Sequence, residues 1–305
     1  MASSNRLCVV TGAFGYTRHH IARILLDRGW RVRTLTNHPR ADDPFSGAVD
    51  VRPLNFAKPD ELRASLHGAD TLINTYWVRF AWGGETHESA VANTKALLDA
   101  AKDAGVRRVV HVSITNPSAD SDLPYFRGKA QLEEFIRNAG ILYAILRPTV
   151  LFGHGDILIN NIAWILRYLP VFGMPGRGDY RIQPVFVEDF AAMAVDSIDR
   201  GSNETVDAVG PETFTFAELL QTVKRILKSR CLIVPLPPPI ALAAAKAIGA
   251  LLGDVVLTAD EVKGLMRNLL ISNEAPTCST RLSEWLQQNK DLVGASYASE
   301  LSRRR

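Results

Sequence analysis

Tyr125 and Lys129 stand four residues apart in Tyr125-Phe126-Arg127-Gly128-Lys129. On a helix that spacing puts both side chains on one face, about one turn apart. An ammonium beside a phenol favours the tyrosinate and lowers its pKa from about 10. The pair therefore suits proton transfer to or from a carbonyl oxygen. Near the N-terminus, Leu7-Cys8-Val9-Val10-Thr11-Gly12-Ala13-Phe14-Gly15-Tyr16 carries an apolar run through glycines into a helical pattern. A strand–turn–helix of that kind aims unpaired backbone N–H groups and the positive end of a helix dipole at one point, which suits a pyrophosphate. Gly12 permits the turn and Gly15 admits the phosphate, with Ala13, Phe14 and Tyr16 expected beside it.

Further candidates sit where other apolar runs end. Thr36, Asn37, His38 and Arg40 follow the second run, where an acidic residue would bond an adenosine ribose and repel a 2′-phosphate. No acid stands there, so NADP(H) is favoured over NAD(H). Asn74 and Thr75, followed by Tyr76 and Trp77, close the fourth run and are expected to line the cofactor groove. Ser113, beside Ile114 and Thr115, closes the fifth and offers a hydroxyl to polarise a carbonyl, although strand ends also use such residues for local capping. Arg147-Pro148-Thr149 ends the sixth, where backbone groups such as those of Pro148 would meet a nicotinamide amide. Asp156, Asn160, Asn161 and Trp164 are candidates for a pocket.

These residues need a scaffold, and the chain spells one. Strand candidates at 7–12, 31–36, 48–53, 70–75, 107–114 and 141–148 alternate with helical patterns at about 16–28, 58–67, 86–104 and 125–139. The alternation predicts a parallel sheet with helices on both faces. Gly29, Gly68, Gly105 and Gly140 each stand just past a helix, where a left-handed cap belongs. The fold class is thus α/β, a Rossmann doubly wound parallel sheet with a smaller, mostly helical C-terminal lobe. Its nucleotide domain spans 1–150, with 182–208 returning to it, and 151–181 with 209–305 form the second lobe over the carboxyl edge of the sheet. A loop is expected at Gly173–Gly178, and helices at about 157–168, 189–198, 215–227, 238–252, 258–270 and 280–288. The apolar stretch 237–252 is shorter than the ~20 residues that span a bilayer. It reads as a buried helix, with a membrane-surface or hydrophobic-substrate contact as the alternative.

At 305 residues the chain can bury a large core, and its 47% hydrophobic and 22% charged residues are those of a globular protein. A net charge of +3, with cations spread along the chain, leaves only Arg303-Arg304-Arg305 as a basic run, read as a solvated tail. No basic and aromatic stripe points to nucleic acid. Cys8, Cys231 and Cys278 are far apart and lack metal-ligand spacing, so no metal site is expected and a reduced, cytoplasmic compartment is the natural reading. The short stretch before the first strand is read as too short for a signal or transit peptide. Nothing fixes an oligomeric state.

With these residues in view, the chain resembles the short-chain dehydrogenase/reductase superfamily in its extended or atypical branch. The stretches around Gly12–Gly15, Tyr76-Trp77-Val78-Arg79-Phe80, Tyr125–Lys129 and Asp156–Asn161 look closest to the subgroup of the nucleotide-binding accessory subunit of respiratory complex I and its free-standing bacterial relatives. The resemblance implies a Rossmann fold, an NAD(P)(H) cofactor, and Tyr125 with Lys129 at the active-site position. Three positions depart from the pattern: Arg18 replaces the third glycine, Ile114 falls at or beside the usual serine, and Ala90 replaces an asparagine. Arg18 would either overpack the sheet or, pointing outward, add a phosphate contact.

Two functions follow. One is an oxidoreductase acting on a carbonyl or hydroxyl of a small, hydrophobic or quinone-like substrate, with hydride chemistry supplied by the cofactor. The other is a non-catalytic nucleotide-binding accessory or redox-sensor protein. Nucleotide-sugar epimerisation or dehydration is weaker, because the second half shows no diphosphate-binding cluster.

Overall fold

Strands covered on both faces are near-continuous apolar runs, and β1 (Leu7–Thr11) and β4 (Thr71–Asn74) are buried at every residue, with polar side chains only at their ends. Together with β2 (Arg31–Leu35), β3 (Val49–Arg52), β5 (Arg108–Val112), β6 (Leu142–Pro148) and β11 (Glu204–Ala208), they form one seven-stranded sheet in the order β11-β6-β5-β4-β1-β2-β3. The registers of β1 with β2 and β4, β2 with β3, β4 with β5, and β5 with β6 are all parallel. The order reverses between β1 and β4, which is where ligands bind in open α/β sheets. This computed structural model describes residues 6–39, 43, 45 and 47–304.

Helices fall between the strands as the sequence predicts: α1 (Tyr16–Asp27), α2 (Pro59–Leu66), α3 (His87–Asp103) and α4 (Pro124–Asn138). Gly29, Gly68, Gly105 and Gly140 all take φ between +74° and +78°, so each ends its helix in the left-handed region. Thr86 caps α3 through a reciprocal pair with Ser89. The α2, α3 and α4 helices share a core with the strands, built from Leu62, Leu66, Leu97, Ala101 and Ile136 with Val9, Leu72, Val109 and Ile145. On α1, Ile21, Ala22 and Leu25 are buried, and Arg28 pairs with Asp196 at 2.7 Å, near the end of α6 (Val187–Asp196). The architecture is the Rossmann doubly wound α/β sheet.

The chain divides into two compact units, residues 1–148 with 190–207, and 149–189 with 208–305. The second unit has its own core around Phe152, Ile162, Leu166, Phe172, Leu219, Val223, Trp285 and Leu286. It contains α5 (Leu158–Tyr168), α7 (Phe216–Ile226), α8 (Pro238–Leu252), α9 (Ala259–Met266) and α10 (Leu282–Gln288). Short strand pairs join β7 (Val150–Phe152) to β10 (Pro184–Phe186), β9 (Arg181–Ile182) to β12 (Phe214–Thr215), and β8 (Val171–Pro175) to β13 (Leu232–Leu236).

Four expectations need correction in this unit. The loop expected at Gly173–Gly178 begins as strand: Gly173, Met174 and Pro175 pair with Val234, Pro235 and Leu236. Glycine and proline read as breakers, but a two-stranded pair has only edges, and edges accept proline. The helix at 237–252 forms, yet only its Ala241 and Gly249 are buried. Asn160 and Asn161, expected in a pocket, instead bond the backbone of 294–298, with Asn161 exchanging two 2.9 Å bonds with Ala298. The Asp254 carboxylate likewise accepts from the Tyr297 hydroxyl and the Glu300 and Leu301 N–H groups. Nor is Arg303 a solvated tail residue, for it donates to the Gly155 carbonyl. All three cysteines are free and buried.

Gly210 in this unit has no room for a side chain: a Cβ there would lie 1.7 Å from the Pro184 carbonyl oxygen. The obstacle is backbone, so Gly210→Ala must displace a strand end. We expect a loss of about 1–3 kcal/mol, as overpacked sites show. Urea unfolding checks this, and a midpoint equal to the parent's contradicts the contact.

Candidate functional site: the carboxyl ends of β1, β4 and β5

At the reversal of strand order, β1 and β4 are stitched by hydroxyls. The Thr75 N–H donates to Thr11 Oγ1 and the Thr75 hydroxyl to the Thr11 carbonyl, each at 2.9 Å. Asn74 continues the seam to β5. Its Oδ1 accepts the Tyr76 N–H at 3.0 Å, which fixes the amide orientation, so its Nδ2 faces His111 Nδ1 at 3.1 Å. An amide nitrogen only donates, so Nδ1 accepts and the imidazole proton sits on Nε2. That Nε2 is buried with no hydrogen-bond partner among the described residues, and burial holds the His111 pKa well below the usual histidine range. His111 is therefore a neutral fixture of the strand ends. Asn74 and Thr75 hold the strand ends together, which leaves little of either side chain for a ligand.

The glycine turn is built as expected, but its donors are partly spent. Gly12 takes φ +63°. Its N–H bonds the Leu35 carbonyl, the Ala13 N–H bonds Thr34 Oγ1, and the Gly15 N–H bonds the Gly12 carbonyl, all within 2.9 Å. The expectation that the turn presents unpaired N–H groups is thus corrected for Gly12, Ala13 and Gly15, because the turn uses them to hold its own shape. Phe14 is buried, and Gly15 caps α1 without any side-chain bond. Arg18 does not pack into the sheet. Its guanidinium lies across the turn, where a Cβ on Gly12 would meet Nη1 at 2.1 Å and one on Gly15 would meet Nε at 3.0 Å. A cation over a turn that only glycine can form, at the start of a helix, fits a diphosphate.

At the end of β2, the expected donors are mostly engaged. Thr36 Oγ1 accepts the His38 N–H at 3.1 Å, and the Asn37 amide forms a reciprocal pair with the Leu54 backbone. Asn37 therefore braces the loop and is not placed for a ribose. His38 is exposed, and Arg40 lies outside the described residues.

On α4, Tyr125 and Lys129 share a face, and one indole touches both. The Trp77 ring stands 5.5 Å edge-on from the Tyr125 ring and 4.5 Å beneath Lys129 Nζ. His87 closes the group, 5.8 Å from Tyr125. Gly128 makes room for the indole, since a Cβ there would come within 2.8 Å of Trp77 Cη2. Lys129 is 2% exposed and donates to the Val112 carbonyl at 2.7 Å. Burial pulls its ammonium down to about 7, against the opposing pull of Glu133.

Ser113 is the clearest correction. Its hydroxyl donates to Glu133 at 2.6 Å, so its proton is committed to a carboxylate instead of being offered to a carbonyl. Glu133 is 1% exposed and also accepts from Arg147 through two nitrogens and from Arg137 at 2.8 Å. Burial pushes its carboxyl up, but the bonds from Arg147 and Ser113 outweigh that and keep it below the usual carboxylate range. Pro148 ends β6, and its carbonyl accepts the Thr115 N–H at 3.2 Å. Glu133 was not singled out in the sequence, although it continues the Tyr125–Lys129 stripe by four more residues. His87 and His111 carried no signal beyond their type.

Residues 12–157 match the NAD(P)H-binding family, and the matched span opens on Gly12 and carries the glycine turn, Trp77, Tyr125 and Lys129. Residues 12–157 thus carry an NAD(P)H-binding domain. The chain is 27% identical, over 89% of its length, to the Arabidopsis thaliana mitochondrial NADH dehydrogenase [ubiquinone] 1 alpha subcomplex subunit 9, of which it spans 72%. It is 28% identical, over 76% of its length, to the mitochondrial NADH-ubiquinone oxidoreductase 40 kDa subunit of Neurospora crassa, of which it spans 61%. Its fold is similar to that of an Escherichia coli NADPH-dependent quinone oxidoreductase solved with NADPH, at TM-score 0.75 and 20% identity over 92% of this chain and 99% of that one.

The depressed pKa of Lys129 sets a pH dependence. Its folded value of about 7 lies below the 10.5 of an ordinary lysine, so the folded chain binds fewer protons between those values and stability rises with pH across that window. Below about 7 the cost of burying the ammonium is fully present. Relative to the parent, Lys129→Met is expected to be most favourable below pH 7 and to lose that advantage progressively toward pH 10.5. Urea unfolding of both proteins at several pH values reads this, and a pH-independent difference contradicts the burial.

Proposed function

We propose that this protein is an NAD(P)H-dependent oxidoreductase that reduces a carbonyl or quinone-like compound, with Tyr125 as the proton donor. The observation that carries the reading is the grouping of Tyr125, Lys129 and Trp77 on the face of α4 beside the ends of β4 and β5. The cofactor, when bound, supplies the hydride. Gly12, Gly15 and Arg18 would hold its diphosphate, the end of β2 its adenosine ribose, and the ends of β4 and β6 would flank the remainder. Tyr125 would hand its phenolic proton to the developing oxyanion. Lys129, at the foot of the same helix face, would favour the tyrosinate left behind, provided its amine is protonated. Ser113 takes no part, because its hydroxyl serves Glu133.

The same bond supports a second reading. A serine tied to a buried carboxylate and a lysine tied to a main-chain carbonyl leave Tyr125 with few helpers, which suits an accessory or redox-sensing role in which the nucleotide stabilises the fold. The relatives whose names describe respiratory complex subunits favour that role, and a quinone oxidoreductase of similar fold favours the first. Three buried thiols accord with a reduced compartment such as the cytoplasm, although the named relatives are mitochondrial. Among the described residues, no helix is long and apolar enough to cross a membrane.

Tyr125→Phe separates the readings. For an oxidoreductase, turnover of NADPH with a panel of quinones and carbonyl compounds should fall about 100- to 10,000-fold while nucleotide affinity is unchanged. Firm NADPH binding by the parent with no turnover on any member of the panel would establish the accessory role instead. Cofactor choice rests on Thr36 and His38, with no carboxylate at the end of β2. Fluorescence titration should find NADPH bound more tightly than NADH, and the reverse order would overturn the assignment.

A further inference from the structure

The most apolar helix of the chain is also among its most exposed. In α8 only Ala241 and Gly249 are buried, while Ile240 is 55% and Leu251 89% exposed. Ile240, Ala244, Ala247 and Leu251 recur at helical spacing, so they form one stripe along the open side. Helices that are apolar all round are ordinarily buried, and contiguous exposed apolar surface marks a binding face. The β8–β13 pair, whose strand β8 packs against α8, adds the register partners Leu232 and Val171, which are 61% and 45% exposed.

Charge identifies the partner. Residues 224–253 contain five cations, Lys224, Arg225, Lys228, Arg230 and Lys246, and no carboxylate. That stretch carries +5 whereas the whole chain carries +3, so all remaining residues together carry −2. Lys246, the only charge on α8, is exposed on the flank of the apolar stripe. Basic residues beside an apolar helix face fit an anionic lipid surface, where the cations meet headgroups and the stripe enters the acyl boundary. A second copy packed α8 on α8 would meet Lys246 with no carboxylate of that helix to pair it. The 15 residues of α8 extend only about 22 Å, short of the ~30 Å hydrocarbon core, so the helix would lie in the interface plane and not span it.

We propose that α8 docks this protein peripherally on anionic membranes, with Ile240 and Leu251 inserted and Lys246 on the headgroups. The proposal stands apart from the nucleotide chemistry. Flotation of the full chain with vesicles of phosphatidylcholine alone, and of phosphatidylcholine mixed with phosphatidylglycerol, tests it at low and high salt. The parent should float with the mixed vesicles at low salt and partition at least about tenfold less onto phosphatidylcholine alone. Ile240→Glu/Leu251→Glu should lose binding by about tenfold or more, and Lys246→Glu by a smaller factor. Both changes fall on exposed positions, so circular dichroism and NADPH affinity should match the parent. Equal flotation of parent and Ile240→Glu/Leu251→Glu, or no flotation of the parent, overturns the proposal. So does a concentration-dependent dimer in sedimentation that Ile240→Glu/Leu251→Glu dissolves, since the stripe would then be covered by a second copy.

Discussion

A buried carboxylate must be neutralised where it lies, and Glu133 is neutralised from three directions. Ser113 reaches it from the end of β5, Arg147 from the end of β6, and Arg137 from the next turn of α4. Removing any one partner would leave charge without full compensation on a carboxylate only 1% exposed, which is far costlier than never having built the pair. The helix that carries Tyr125 and Lys129 is therefore registered against two strand ends by charge-assisted bonds as well as by the packing of Leu132 and Ile136. The same arrangement removes Ser113 from chemistry. Positioning of the phenol and loss of the serine come from one interaction.

Most of the dinucleotide unit was legible in the sequence because its signals are local. Continuous apolar runs mark strands covered on both faces, and the glycines after four helices mark left-handed caps with φ near +75°. Local patterns do not show where a side chain's hydrogen bonds go. Asn37 and Ser113 are the right types in the right places for a ligand, yet one binds Leu54 and the other Glu133, residues 17 and 20 positions away. Arg18 was open between two orientations until the turn itself was seen beneath its guanidinium. In the second unit, β8 and β13 escaped notice because Pro175 and Pro235 look like breakers, and the pairing partners lie far apart in the chain.

The second unit is closed by polar side chains that act on backbone. Asn160 and Asn161 on α5, with Asp254 after α8, bind the segment from Gly294 to Leu301 through its main-chain groups. Such contacts specify the path of the chain more than its sequence, which is why side-chain type alone suggested a pocket there. Asp156 belongs to the same end of α5. One of its oxygens accepts the Ile159 and Asn160 N–H groups, and burial pushes its carboxyl up to about 7.

The cysteines give each unit its own clock. Cys8 lies inside the first strand of the sheet, and Cys231 and Cys278 lie in the second unit. Burial raises all three thiols, Cys278 to about 11, so the reactive thiolate is scarce in the closed state. Alkylating reagents can therefore modify each only when its surroundings open. The labelling rate of Cys8 against those of the other two records how often each half of the chain breathes, with no engineered probe required.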